Sequence, residues 1–203
     1  GGPLMLAGLA AFAQNAGDRW LVGETFGTVD LAVYALAVKA ALFTSLVLRP
    51  YDMWWEANRM RLRDGPGGSA RVRKAIYLGI GLAALAGAIM AIFGPTALRL
   101  ATPETYHAAA DLIPLAAATG ALHAASAYLG AGLFFQRTGF AVLGASVVTA
   151  AVALALYATL IPIWGLEGAL YARGASALFR AGIFWALSLT VGRSSLVRPS
   201  TAT

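Results

Sequence analysis

The chain has 203 residues, of which 59% are hydrophobic and only 12% are charged, and its mean hydropathy is +0.71. Soluble domains carry about 25% charged residues, so this composition excludes an ordinary water-soluble globular protein and indicates one that is solvated by lipid. The sequence contains no cysteine, which excludes disulfides, thiolate catalysis and cysteine-ligated metals.

The formal net charge of +6 is concentrated in one place. Between Arg59 and Lys74 there are six basic residues and one acidic residue, so this stretch alone carries +5. A basic block beside apolar segments is typical of the cytoplasmic side of a membrane protein, whereas a nucleic-acid surface would spread its charge over a face. We therefore expect no nucleic-acid partner, and we expect both chain ends to lie in the cytoplasm.

The apolar segments predict an all-α polytopic membrane protein with about six transmembrane helices in a single lobe over residues 1–193. A polar tail follows at 194–203. The Gly-Pro-Gly-Gly run at 65–68 predicts the clearest break between helices. The approximate helix bounds are 3–18, 30–62, 71–95, 103–135, 138–162 and 166–191.

Small residues recur every four positions along the third predicted helix. They are Gly79, Ala83, Gly87 and Ala91. A row of this kind lets the backbone of a neighbouring helix approach closely. We therefore expect another helix to pack along this stripe.

Cations within the apolar segments are the most informative feature. Lys39, Arg173 and Arg180 each cost about 2.5–3.5 kcal/mol when placed in the middle of a bilayer. Such residues are expected to face an aqueous cavity that receives an anion, or else to snorkel or form structural ion pairs. Arg49 lies nearer the cytoplasmic interface, where it either lines the same cavity or snorkels.

The end of the first predicted helix is polar. Gln14 and Asp18 share one helix face, and Arg19 lies on the adjacent one. This polarity is that of a helix end at the membrane surface, or it belongs to a cavity wall or gate.

Catalysis is not indicated. His107 and His123 are the only histidines and form no metal-binding motif. His107 and Asp111 are four residues apart and predict a local polar pair. We expect no catalytic residue, no metal and no cofactor, and therefore no enzyme.

Several short motifs are spread along the chain: DRWL at 18–21, Gly27, YALAVK at 34–39, RPY at 49–51 with the tryptophans at 54–55, and IPIWGLEGA at 161–169. Together they resemble the Wzx-like polysaccharide flippases of the multidrug/oligosaccharidyl-lipid/polysaccharide exporter superfamily. Arg173 stands where many relatives carry a small or hydroxyl residue, so the resemblance assigns it no role.

The resemblance implies the C-terminal half of a transporter with two pseudo-symmetric lobes around a central cavity, in the bacterial inner (plasma) membrane. Such transporters move undecaprenyl-diphosphate-linked oligosaccharide outward. The implied partners are this lipid-linked oligosaccharide, membrane lipid, the N-terminal lobe and polysaccharide assembly proteins.

Two alternatives remain at this point. A cation-coupled drug antiporter of the same superfamily would share the fold, although acidic residues within the apolar segments are scarce. A membrane-embedded glycan polymerase or ligase would need a substantial outward catalytic loop.

Overall fold

A computed structural model describes residues 2–64, 67–129 and 139–194. Nearly all of these residues are helical and none of them lies in a strand, so the predicted all-α class is confirmed. The elements are α1 (Gly2–Asp64), α2 (Gly68–Ala101), a 3-10 turn (Glu104–Tyr106), α3 (Ala108–Leu129) and α4 (Gly139–Ser194).

Within the described ranges, four stretches are long and apolar enough to cross a membrane. At most 33% of the most apolar window in any of them is buried within the chain. A water-soluble bundle would bury such windows, so their exposure agrees with the membrane class that the composition predicts. The stretches are Gly8–Asp64, Gly68–Ala101, Glu104–Leu129 and Leu143–Phe184.

Helix α1 folds back on itself at Gly27. The backbone there has φ 86° and ψ −174°, a conformation that is essentially restricted to glycine. The Tyr34 hydroxyl donates a hydrogen bond to Asp18 Oδ2 at 2.7 Å, whereas a straight helix would separate these residues by about 24 Å. The first arm of α1 (2–26) and the second arm (28–64) therefore lie side by side.

Helix α4 turns in the same way at Gly165, where φ is 60° and ψ is −139°. A Cβ atom placed on Gly168 would lie 2.2 Å from the carbonyl oxygen of Leu160, a residue that a straight helix would hold about 12 Å away. The turn follows Pro162, within the IPIWG motif. It divides α4 into a first arm (139–164) and a second arm (166–194).

Three of the observed helix ends lie five or more residues from the predicted ones, and one of them is the end of α2, at Ala101 instead of residue 95. The first predicted helix ended at residue 18, but helical structure continues to Gly27, where the backbone leaves the helix. The helix predicted from residue 103 begins at Ala108, because Pro103 is extended and a 3-10 turn intervenes. The predicted segment 130–135, the connection at Arg137 and the tail from residue 195 lie outside the described residues.

The break predicted at residues 65–68 is present. Helix α1 ends at Asp64, and α2 begins at Gly68 after Gly67, whose φ is 70°. A Cβ atom on Gly68 would lie 1.9 Å from the carbonyl oxygen of Arg63. Glycine therefore permits an unusually tight approach between the two helix ends.

Two apolar clusters hold the described helices together. The larger joins both arms of α1 to α3 and to both arms of α4, and its members include Val22, Ala116 and Leu170. The smaller contains Trp55, Tyr128 and neighbouring residues of α2, and it lies towards the end of α1. The larger cluster surrounds the polar site described below.

The small-residue row of α2 packs closely against another helix, as the sequence predicted, and that helix is α3. Gly87 is buried, and a Cβ atom on it would lie 2.6 Å from Ala121 Cβ. Gly79 is buried against Tyr51 and Tyr128 in the same way. Along this row the backbones of the two helices are in close contact, and large side chains do not interdigitate between them.

Gly87→Ala should destabilise the protein by about 1–3 kcal/mol, because the added methyl group must push α2 away from Ala121. Thermal unfolding in detergent measures the effect. Gly81→Ala is the matched control, since Gly81 lies on the same helix with open space around its Cβ position. An equal effect of the two substitutions would contradict the close helix contact.

Candidate functional site

A carboxylate is buried at the centre of the larger cluster. Asp18 is 0% exposed and lies on the first arm of α1. Its Oδ2 atom accepts hydrogen bonds from the Tyr34 hydroxyl and from the Arg173 guanidinium, which also forms its ion pair. Its Oδ1 atom accepts the backbone N–H of Arg19 at 2.8 Å. We call Asp18, Tyr34 and Arg173 the buried triad.

The chemistry of the triad follows from its burial. An isolated carboxylate in an apolar interior costs several kcal/mol, and this cost is offset only when a counter-charge and hydrogen-bond donors surround it. Arg173 supplies the charge and Tyr34 a neutral donor. The triad therefore fixes the second arm of α4 against both arms of α1.

A second polar contact lies about one helical turn away. The Gln14 side-chain amide donates a hydrogen bond to Ser176 Oγ at 3.2 Å, and both residues are buried. Gln14 and Asp18 on α1 thus face Ser176 and Arg173 on α4. Two polar contacts, about one helical turn apart, therefore join the first arm of α1 to the second arm of α4.

A cavity of about 690 Å³ borders the triad. Arg173 is a member of the triad and also lines the cavity. Its side chain is 19% exposed although it is paired with Asp18. Phe12 and Leu42 line the cavity and are 70% and 48% exposed, so the cavity opens to the outside of the chain. The lining residues of this central cavity are Phe12, Ala16, Arg19, Val38, Ala41, Leu42, Ser45, Thr119, Gly120, His123 and Arg173.

Arg19 brings a second guanidinium to the cavity wall. Its Nε atom is buried, and it has no hydrogen-bond partner among the described residues. Arg19 lines the cavity and forms no ion pair among the described residues, whereas Arg173 is paired with Asp18. Its charge is therefore the better placed of the two to attract an anion that enters the cavity.

Arg180 lies next to the cavity rather than in its wall. Its Nη2 atom donates to the carbonyl oxygen of His123 at 3.0 Å, and its Nε atom donates to Ser126 Oγ at 3.1 Å. No carboxylate of the described chain lies within ion-pair distance of this guanidinium. Neutral acceptors satisfy its hydrogen bonds and leave its charge uncompensated.

The site as a whole is therefore positive and partly apolar. Three guanidinium groups, on Arg19, Arg173 and Arg180, lie in or beside the cavity, with Asp18 as the single buried carboxylate in the described part of the chain. Apolar side chains form much of the remaining wall. This combination suits a ligand that carries negative charge on an apolar or mixed body.

The sequence-predicted site residues are only partly brought together. Gln14, Asp18, Arg19 and Arg173 form the site, and Arg180 adjoins it. Lys39 is exposed and does not line the central cavity, although its neighbour Val38 does.

Arg49 is also exposed and borders a separate cavity of about 360 Å³ near the end of α1. Asp52, which lines this second cavity, accepts a hydrogen bond from the Tyr128 hydroxyl at 2.6 Å. Arg49 is thus placed apart from the triad.

The sequence predicts Asp18 as part of a polar helix end or of a cavity wall or gate, but it does not identify Asp18 as the counter-ion of Arg173, which lies 155 positions away. It also did not place His123 and Ser45 in the cavity wall. One signal was present in the sequence. Gln14 and Asp18 are four residues apart on α1, and Arg173 and Ser176 are three apart on α4, so each pair lies on one helix face and the two faces can form hydrogen bonds with each other.

The local pair expected between His107 and Asp111 does not form. His107 Nε2 lies 3.2 Å from the carbonyl oxygen of Thr102, because residues 104–106 form a 3-10 turn that ends at His107. Asp111 instead accepts from Arg99 Nη2 at 2.7 Å on an exposed surface.

Comparison of the chain with protein-family models, with curated proteins and with solved structures gives no match. Among the described residues, no group of three histidine or acidic side chains could hold a metal ion. The triad and the central cavity are therefore the features that indicate a function.

Asp18→Asn should destabilise the protein by about 3–5 kcal/mol, because it leaves the Arg173 charge without its buried counter-ion. Adding Arg173→Gln should recover part of this loss, since the double variant contains no unpaired charge. Thermal unfolding of the two single variants and the double variant gives the coupling energy.

The matched control is the exposed pair Arg99–Asp111, whose side chains are 53% and 73% exposed. The same cycle with Arg99→Gln and Asp111→Asn should give a coupling of no more than about 1 kcal/mol. Equal coupling in the two cycles would contradict the central role of the buried pair.

Proposed function

We propose that this protein is one lobe of a Wzx-like flippase that moves lipid-linked oligosaccharide across the bacterial inner membrane. The observation that carries the proposal is the central cavity, which combines apolar walls with the guanidinium groups of Arg19 and Arg173. An undecaprenyl-diphosphate-linked glycan has the matching chemistry, since it joins a diphosphate to an apolar lipid and a polar saccharide.

The charge of the cavity supports an anionic substrate. Asp18 compensates Arg173, whereas Arg19 keeps a buried donor without a described partner. Arg180, beside the cavity, adds a further positive charge. Guanidinium groups bind phosphate oxygens with paired hydrogen bonds, so the charge of Arg19 on the cavity wall suits a diphosphate.

The lining residues support an amphiphilic substrate rather than a small inorganic anion. Phe12, Val38 and Leu42 present apolar side chains beside the cations. The volume of about 690 Å³ lies within the range of about 300–1,000 Å³ that is common for ligand pockets. A diphosphate and the first units of its attached groups would fit this space.

The mechanism that we propose is alternating access, in which two lobes rock around a site near the middle of the bilayer. In this arrangement each arm of α1 and α4, together with α2 and α3, crosses the membrane once, and both chain ends are cytoplasmic. The partner is an N-terminal lobe of the same transporter, and polysaccharide assembly proteins supply and accept the substrate.

A cation-coupled drug antiporter is the second candidate, and the buried carboxylate of Asp18 is the observation that favours it. A carboxylate beside a cavity can bind a proton, and it could bind a cationic drug if the cavity reached it. The ion pair with Arg173 opposes this reading, because it neutralises the only buried carboxylate of the described chain. An anionic substrate is therefore the better supported choice.

Binding of farnesyl diphosphate to the purified chain in detergent tests the proposal, because this soluble isoprenoid retains the diphosphate and an apolar tail. We expect measurable binding that Arg19→Gln weakens by about tenfold, the value of one charge-assisted hydrogen bond. Tryptophan fluorescence titration measures the affinity, and Arg99→Gln, which lies on the exposed surface, should leave it unchanged.

Farnesol and tetraphenylphosphonium complete the experiment. Farnesol lacks the charge and should bind more weakly than its diphosphate. Stronger binding of tetraphenylphosphonium would support the drug antiporter and overturn the flippase proposal. Equal binding of farnesol and farnesyl diphosphate would show that the cations do not select the ligand.

A further inference from the structure

A basic surface lies at the junction of α1 and α2, away from the central cavity. We define it by four exposed cations: Arg61 at the end of α1, and Arg71, Arg73 and Lys74 at the start of α2. We propose that this surface binds the headgroups of anionic phospholipids at the membrane interface.

The fold brings these cations together through the tight helix junction. The approach of Gly68 to the Arg63 carbonyl places the last turn of α1 against the first turn of α2. Leu62 and Val72 pack into the same small apolar cluster around Trp55. Because these two residues face inward, their neighbours in the chain project away from the cluster into the surroundings.

The concentrated charge lacks compensation within the described protein. No carboxylate in the described ranges lies within ion-pair distance of Arg61, Arg71, Arg73 or Lys74. Arg59 and Arg63 do interact within the protein, so the proposal does not depend on them. Four neighbouring cations repel one another, and phosphate groups that lie between them would remove this repulsion.

The position of the surface favours a lipid headgroup over a soluble anion. Helix α2 becomes continuously apolar at Ala75, so Arg71, Arg73 and Lys74 lie within about one turn of that boundary. On α1, the exposed side chain of Trp54 is typical of the membrane interface, and Arg61 follows it by about 10 Å. Long basic side chains at this depth reach the phosphate layer.

Native mass spectrometry of the full chain in detergent with equal amounts of phosphatidylglycerol and phosphatidylcholine tests the proposal. We expect retained phosphatidylglycerol to exceed retained phosphatidylcholine. In the triple variant R71Q/R73Q/K74Q, this preference should fall by about fivefold or more, since each cation near an anionic surface contributes substantially to lipid binding. The substituted side chains are exposed, so the fold should be retained.

Two control variants separate charge from other effects. R71K/R73K keeps the charge and should keep the preference, whereas Lys39→Gln removes an exposed cation elsewhere and should also leave it intact. In the unmodified protein, raising the ammonium acetate concentration should weaken the preference through screening. Loss of the preference in Lys39→Gln, or its persistence in the triple variant, would overturn the proposal.

Glycerol 3-phosphate distinguishes a lipid from a soluble anion with the same chemistry. An excess of this compound should fail to displace phosphatidylglycerol, because it lacks the acyl chains that hold the headgroup at the interface. Complete displacement would identify a soluble phosphate as the ligand and would overturn the lipid assignment. The same comparison in the Arg19→Gln background separates this surface from the central cavity, where phosphatidylglycerol could also bind, because Arg19 lines the cavity and not the basic surface.

Discussion

The buried carboxylate of Asp18 determines which groups must surround it, and the rest of the site depends on this requirement. A charge that is withdrawn completely from solvent must be matched inside the protein, and the match comes from Tyr34 on the second arm of α1 and Arg173 on α4. These contacts require α1 to fold back at Gly27 and α4 to approach both of its arms. The polar centre and the helix arrangement therefore depend on each other.

The same requirement explains the character of the central cavity. Asp18 neutralises one guanidinium, whereas Arg19, the next residue along the helix, lines the cavity and forms no ion pair among the described residues. Arg180 satisfies its hydrogen bonds through Ser126 and the His123 carbonyl, which carry no compensating charge. Positive potential thus remains where apolar side chains line an open space, and an amphiphilic anion is the ligand that this surface complements.

The helices, the membrane class and the main breaks could be predicted from the sequence, because apolar runs and glycine-rich interruptions are local signals. The spacing of small residues such as Gly87 predicted that a helix packs closely against α2, although it did not identify that helix as α3. The pairing of Asp18 with Arg173 could not be predicted in this way, since it depends on how distant helices rotate against each other. Lys39 is a second example. The sequence shows that Lys39 lies within an apolar segment, but it does not show that its side chain is exposed rather than directed into the cavity.

The most direct measurement uses a single cysteine in the cavity, because the natural chain contains none. Ser45 lines the central cavity, and Ser45→Cys can be modified by an anionic methanethiosulfonate reagent or by its trimethylammonium analogue. Relative to a free thiol in solution, the account predicts that the cysteine reacts faster with the anionic reagent and that Arg19→Gln reduces this preference. Faster reaction with the cationic reagent would contradict a cavity built to receive an anion.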